Sequence, residues 1–153
     1  MAKTPFIILG ADHAGLLLKN RIKAHLEHKG YNIVDIGTMT HDRVDYPAYA
    51  FSVAKKVAED TKNRRGILVC GTGTGMVIAA NKVKGIRASF CYDHYSAKMA
   101  REHNDANVLT LRGRRAGAIP TLKIVDTWLS THFSGTARHK RRIKQIASYE
   151  VRS

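Results

Sequence analysis

Cysteine is scarce in this chain, and with it go two fold classes. Cys70 and Cys91 are the only 2 among 153 residues, in different segments and outside any CxxC or Cys/His cluster. That pattern gives neither a disulfide framework nor a zinc site. Low-complexity linkers and internal repeats are lacking too, and 44% hydrophobic content over this length suits one sizeable core rather than two. A single domain over 1–153 is therefore expected. No stretch approaches the ~20 apolar residues of a membrane span. The apolar run in "MAKTPFIILGADHAG" ends in Asp12 rather than at a small-residue cleavage site, so a soluble cytoplasmic protein with no membrane partner is expected.

Acidic residues are few as well. Asp+Glu number 12 against 26 Lys+Arg, a net charge of +14, which predicts an anionic partner: a phosphorylated metabolite or nucleic acid. Part of the excess lies in the tail, where Arg138, Lys140, Arg141, Arg142, Lys144 and Arg152 oppose only Glu150. Aromatic residues do not interleave with these cations, and no helix-turn-helix or RNA-binding signature occurs, which argues against nucleic acid. A solvated helix face is the simplest alternative for the tail, and a basic nucleic-acid-binding protein is the alternative for the whole chain.

What is present is an alternation. "PFIIL", "YNIVDI", "GILVC", "IRASFC" and "NVLTL" are short apolar or β-branched runs suited to buried parallel strands. Helical spacing fills the gaps. Leu17, Leu18, Ile22 and Leu26 fit a helix over 16–29 closed by Gly30, and Pro47 suits the first turn of a second. Further helices are expected over 75–82, 94–102, 117–132 and 137–149. The pattern predicts an α/β fold: a three-layer αβα sandwich around a five-stranded parallel Rossmann-like sheet, with an extra C-terminal helix. Ligands of such folds sit beyond the carboxyl ends of the strands, which singles out Asp12 and His13, the stretch 37–47, the stretch 70–75, Tyr92 and Asp93, and the stretch 112–115.

The stretch "ILVCGTGTGMVIAANK" fits neither the dinucleotide fingerprint nor the P-loop. A glycine-rich turn at a helix start still aims several backbone N–H groups at one point, where an anion is favoured. The glycines would serve equally to pack helix tightly on strand. Cys70 at the lip of this turn would ionise more readily than a free thiol, whose pKa is about 8.5, and a thiolate is a base or nucleophile. It would also serve as a small core residue. Asp12 could cap the first helix, and His103 with Asn104 could close the fourth. Taken together, a Cys base, an anion loop, two loop histidines and several arginines suit proton transfer on a small phosphorylated molecule, with all but the tail expected at one edge of the sheet.

"GADHAG", "DYP", "CGTGTGMVIAANK", "GIRA", "HYSAKMAREHNDANVL" and "SGTARHKRRI" together resemble the type B ribose-5-phosphate isomerases, over residues 10–149. The resemblance implies the same fold and interconversion of ribose 5-phosphate and ribulose 5-phosphate through a cis-enediolate, a step of the non-oxidative pentose phosphate pathway. It further implies no metal or organic cofactor, and a homodimer with active sites at the interface, while assembly to a tetramer stays open. Cys70 matches the general base. Gly71, Thr72, Gly73, Thr74 and Gly75 match the loop that holds the enediolate oxygen, with the Thr72 hydroxyl assisting. His103 matches the residue that opens the furanose, and Asp12 and Asn104 match contacts to sugar hydroxyls or the ring oxygen. Tyr46 falls near the same site. His13, Arg114, Arg138 and Arg142 match the phosphate grip, the last two on a tail (136–153) expected to reach the partner while Cys70 and His103 share one chain. A spacing of four puts both tail arginines on one helix face. A glutamate branch of the family has Gly where Cys70 stands and Glu where Met76 stands, so this chain falls in the cysteine branch. Relatives acting on allose 6-phosphate or galactose 6-phosphate leave a hexose substrate as the alternative. Lys140, Arg141 and Lys144 are not explained by a single phosphate.

Overall fold

Parallel strands joined by crossover helices give every element a direction, and that direction positions the site. The computed structural model describes residues 4–152. Its elements alternate: β1 (Phe6–Ala11), α1 (Leu16–His28), β2 (Ile33–Asp35), α2 (Tyr46–Ala58), β3 (Arg64–Cys70), α3 (Thr74–Ala80), β4 (Ala88–Phe90), α4 (His94–Asn104), β5 (Val108–Arg112), α5 (Ala118–Ser130) and α6 (Ala137–Arg152). One five-stranded sheet has the order β2-β1-β3-β5-β4, and each adjacent pair is parallel. The sandwich expected from the sequence is the one observed, with strand and helix ends displaced by up to three residues.

Alternation along the strands divides the core in two. Ile7, Leu9, Ile67, Val69, Leu109 and Leu111 face one layer, where they pack on Ile22 and Leu26 of α1, Ala97 and Ala100 of α4, and Val125 and Trp128 of α5. Their neighbours Ile8, Leu68, Cys70 and Val108 face the other, against Val53 and Val57 of α2 and Met76 and Ala80 of α3. Truncating a fully buried member such as Ile22 to Ala costs roughly 2–5 kcal/mol. Met76 is a core residue of the second layer, with no exposure at all.

The chain runs from β1 outward to β2, then returns across β1 to β3. The connections leaving β1 and β3 therefore diverge to opposite faces, which opens a crevice at their carboxyl ends. Gly15 shows how tightly that crevice is built: a Cβ there would stand 2.2 Å from the Val69 carbonyl oxygen. A buried ion pair braces its flank. Lys19 is wholly buried, and its Nζ lies 2.5 Å from Asp35 Oδ2, while Asp35 Oδ1 accepts the Gly37 N–H at 2.9 Å. Ala11 in turn exchanges backbone bonds with Gly37 and Thr38, at 2.7 Å each. The loop after β2 is thereby tied to the end of β1. Breaking such a buried pair from one side costs about 3–5 kcal/mol.

Candidate active site

Cys70 is the last residue of β3, and its side chain is buried beneath the turn that follows. The turn curls back over it, so the Gly73 N–H donates to Cys70 Sγ at 3.1 Å. Gly73 permits this with φ +83 and no side chain, since a Cβ there would meet the Phe90 ring at 2.6 Å. The Thr74 N–H donates to Thr72 Oγ1, and among the described residues none accepts from the N–H of Gly75 or Met76. These are the orphan donors that open any helix, here directed into a polar turn. Tyr46, at the start of α2, lays its ring against Gly75, where a Cβ would come within 2.5 Å of it.

Two other loops converge on this turn. Asp12 donates its N–H to Val69 O at 3.2 Å, and its Oδ1 accepts from the N–H groups of Ala14 and Gly15. Asp12 thus ties the turn ahead of α1 and makes no side-chain cap bond to the helix, whose N-cap is Gly15. From the far side, Gly113 N–H donates to Cys70 O and Arg114 N–H to Gly71 O. The Arg114 side chain then lies over Gly71.

Beside this turn lies a cavity of about 690 Å³, lined by His13, Arg43, Val44, Asp45, Tyr49 and Arg114 among others. Val44 N–H donates to His13 Nδ1 at 3.3 Å. In the neutral ring, Nε2 then carries the proton and can donate to an anion. Among the described residues, no carboxylate pairs with Arg43, Arg114, Arg138 or Arg142. Arg43 was not foreseen as a site residue. Its position in the stretch following β2 was the available signal.

The remaining site residues lie elsewhere. A crossover helix runs antiparallel to the strands, so α4 carries its last residues back to the amino edge of the sheet. Asn104 O there accepts from Arg87, just ahead of β4. The length of β5, about 13 Å at ~3.3 Å per residue, separates that edge from Cys70. The expectation of His103 and Asn104 at the edge of Cys70 is therefore corrected: post-helix residues occupy the opposite edge from post-strand residues. Nor does Asn104 close α4, because the left-handed C-cap is Asp105, with φ 45.

His103 instead meets the tail. Its ring centroid lies 4.3 Å from that of His139, the one buried residue at the start of α6. His139 Nε2 accepts from Arg138 Nε at 3.2 Å, and Nδ1 lies 2.7 Å from Ser134 Oγ. Burial, helped by the positive charge of His103, Arg138 and Arg142, holds the His139 pKa below its ordinary value. A neutral His139 is what accepting from Arg138 requires. One chain thus carries two clusters: Asp12, His13, Tyr46, the 70–75 turn and Arg114 at the carboxyl edge, and His103, Asn104, Arg138 and Arg142 at the amino edge.

A thiol beneath a turn of backbone amides, next to a cationic cavity at the switch point of a doubly wound sheet, defines an α/β protein equipped for chemistry on small anions. Comparison supplies the family. The family model described as Ribose/Galactose Isomerase matches residues 7–146, and the chain belongs to that family of isomerases. It is 46% identical to the ribose-5-phosphate isomerase B of Escherichia coli (strain K12) over 146 residues, which cover 95% of this chain and 97% of the relative. The structure of Mycoplasma genitalium ribose-5-phosphate isomerase B with bound ribulose-5-phosphate matches with a TM-score of 0.93 and 44% identity, covering 96% of this chain and 97% of that one. The type B ribose 5-phosphate isomerase of Trypanosoma brucei matches with a TM-score of 0.91 and 46% identity, covering 96% and 99%.

Proposed function

We propose that this protein interconverts D-ribose 5-phosphate and D-ribulose 5-phosphate, in a homodimer whose two active sites each combine the carboxyl edge of one chain with the amino edge of the other. The observation that carries the reading is the Cys70 thiol held under the 71–75 turn beside the cavity of His13, Arg43 and Arg114. Full-length similarity to ribose-5-phosphate isomerases B supports the substrate.

His103 of the second chain, with Asn104 beside it, delivers a proton to the ring oxygen O4 as the C1–O4 bond breaks, and the C1 hydroxyl releases its proton to solvent water as C1=O1 forms, which leaves the open aldehyde. Cys70 as thiolate then removes the proton from C2. The C2–H electron pair forms the C1=C2 bond of a cis-enediolate, and the aldehyde oxygen O1 becomes the oxyanion. Backbone N–H groups of the 71–75 turn, with the Thr72 hydroxyl, stabilise that charge; one such donor is typically worth ~3 kcal/mol in the transition state. The Cys70 thiol returns its proton to C1, and the proton on O2 passes to O1, leaving the ketone at C2. His13 and Arg114 hold the phosphate from one side, and Arg138 and Arg142 of the second chain close it from the other.

Subunit mixing tests this arrangement. Cys70→Ala and His103→Ala proteins, each nearly inactive on ribose 5-phosphate, are refolded together, with exchange verified by a tagged chain. About half the dimers are then mixed, each with one site free of both lesions and one carrying both, so activity rises to roughly a quarter of wild type by two-fold pairing. No rise after proven exchange would place Cys70 and His103 in one chain's site and end the proposal. Assaying wild type with ribose 5-phosphate, allose 6-phosphate and galactose 6-phosphate side by side checks the substrate: a faster hexose rate rejects the pentose assignment.

A further inference from the structure

The motif Gly85-Ile86-Arg87-Ala88 has no part in the chemistry above, yet Arg87 is among the most heavily bonded side chains of the molecule. Its Nε donates to Asn104 O at 3.0 Å and to Asp105 O at 3.2 Å, and its Nη2 donates to Asp105 O at 2.9 Å and to Asp105 Oδ2 at 3.2 Å. The other carboxylate oxygen, Oδ1, accepts from Arg101 Nη1 at 2.7 Å, and the same nitrogen reaches Ala106 O at 2.6 Å. Arg101 is buried and lies 5.6 Å over the Trp128 ring. Asn107 completes the seam, accepting from Arg87 N–H and donating to Gly85 O.

Ending a helix does not require this. A single glycine in the left-handed conformation terminates a helix with no charged partner. Here a non-glycine residue adopts φ 45, each of its carboxylate oxygens is held by a different arginine, and the carbonyls of 104, 105 and 106 are all engaged. No bond of the clamp reaches the side chains of His103 or Asn104. It fixes the backbone from which both project.

We infer that Arg87 and Asp105 are positioning residues for ring opening: their clamp on the end of α4 sets where His103 and Asn104 stand when presented to the second chain. The inference rests on the proposed isomerase reading. It adds a role for residues that touch no substrate. A displacement near 1 Å in a reacting group is enough to lower a rate about 100-fold.

The test compares wild type with Arg87→Lys, which keeps the charge and loses the fork, and with Asp105→Asn and Asp105→Gly, which keep the left-handed turn and lose the carboxylate. The expected result is a roughly 10- to 100-fold loss of ribose 5-phosphate turnover. Spontaneous ring opening then limits the reaction, so the rate ceases to rise with added enzyme. The ribulose 5-phosphate direction stays proportional to enzyme. In a His103→Ala background, Arg87→Lys adds little further loss, because both act on one step. Wild-type turnover in the variants, or a ribose-direction rate that falls yet stays proportional to enzyme with a loss that adds fully to His103→Ala, would overturn the inference. A wild type inactive on ribose 5-phosphate would instead overturn the proposed function. The clamp is then judged by the His103 ring resonances and by amide exchange at 104–107: changes in Asp105→Asn with little change in melting temperature support it, and no change rejects it.

Discussion

The two edges of the sheet solve opposite electrostatic problems. At the carboxyl edge the polar groups are left unspent among the described residues: two amides at the start of α3 lack acceptors, and Arg43 and Arg114 line a cavity without a carboxylate paired to either. At the amino edge the charges of the clamp are consumed, with Arg87 and Arg101 both committed to Asp105. A site that must receive an anion leaves its donors free, whereas a residue that must be aimed needs its neighbours bound. On the proposed reading, the free donors mark where substrate binds, and the bound ones mark how a distant group is held for it.

The largest effect that follows lies at the first edge. If Cys70 is the proton carrier as proposed, Cys70→Ala lowers turnover about 100- to 10,000-fold in both directions, the usual contribution of general base catalysis. Cys91→Ala retains most of the activity. Cys91 is buried, and burial pushes its thiol up to about 11, so it stays neutral at physiological pH and has no turn of amides over it. Steady-state rates of the two alanine variants check this, together with substrate protection of Cys70 from alkylation. Comparable activity in Cys70→Ala and wild type would remove the thiol from the mechanism.

Next comes His103→Ala, at the second edge. The two kcat/KM values of a reversible reaction are tied by its equilibrium constant, so the informative readout is the dependence on enzyme concentration. Ribose 5-phosphate is mostly cyclic and must open first, whereas ribulose 5-phosphate cannot form that furanose. With His103 absent, the ribose-direction rate levels off as enzyme is added, and the ribulose-direction rate does not. A linear dependence in both directions would assign His103 to something other than ring opening.

A smaller effect sharpens the account of the cavity. Arg43→Ala raises KM for ribose 5-phosphate about tenfold, with kcat little changed, in line with ~1.5 kcal/mol, the low end for a hydrogen bond to a charged group. Competitive inhibition by inorganic phosphate weakens in parallel. An unchanged inhibition constant would mean that Arg43 only lines the space.

These residues also show what could be read without coordinates. The sheet was legible because parallel strands buried on both faces are written as apolar runs such as "GILVC", and the place of Cys70 at the carboxyl end of β3 was legible because it closes that run. His103 was misplaced because proximity to a loop was read as proximity to the site, although a helix of 11 residues returns its end to the far edge. Arg43 stood in a stretch singled out for inspection but has no sequence pattern of its own. Arg87 and Asp105 are separated by a strand and a helix, and nothing in either segment announces that they meet. The buried Lys19 was equally silent, since its place on the core side of α1 depends on Asp35 arriving from the next strand.

The smallest expected effect separates the two ends of α4 itself. The helix starts at the carboxyl edge with a capping box, where Asp93 Oδ1 accepts the Ser96 N–H at 2.7 Å and Ser96 Oγ accepts the Asp93 N–H at 3.2 Å. It ends at the amino edge in the Asp105 clamp. The Ser96 side chain and then its backbone N–H hold the Asp93 carboxyl below its usual pKa. A depressed carboxyl contributes stability that is fully present above its unfolded pKa, about 3.9, and is lost as pH falls through the lower folded value. Asp93→Ala should therefore lower the melting temperature slightly at pH 7, with the gap to wild type closing only in strongly acid solution. It should leave the enzyme dependence of the ribose-direction rate linear, because fraying at the start of α4 does not move its clamped end. Asp105→Asn should do the reverse, sparing most of the melting temperature while bending that rate dependence. Melting curves from pH 3 to pH 7 and rates for both variants decide the matter, and a levelling rate in Asp93→Ala would show that α4 transmits strain along its whole length and that the clamp alone does not set His103.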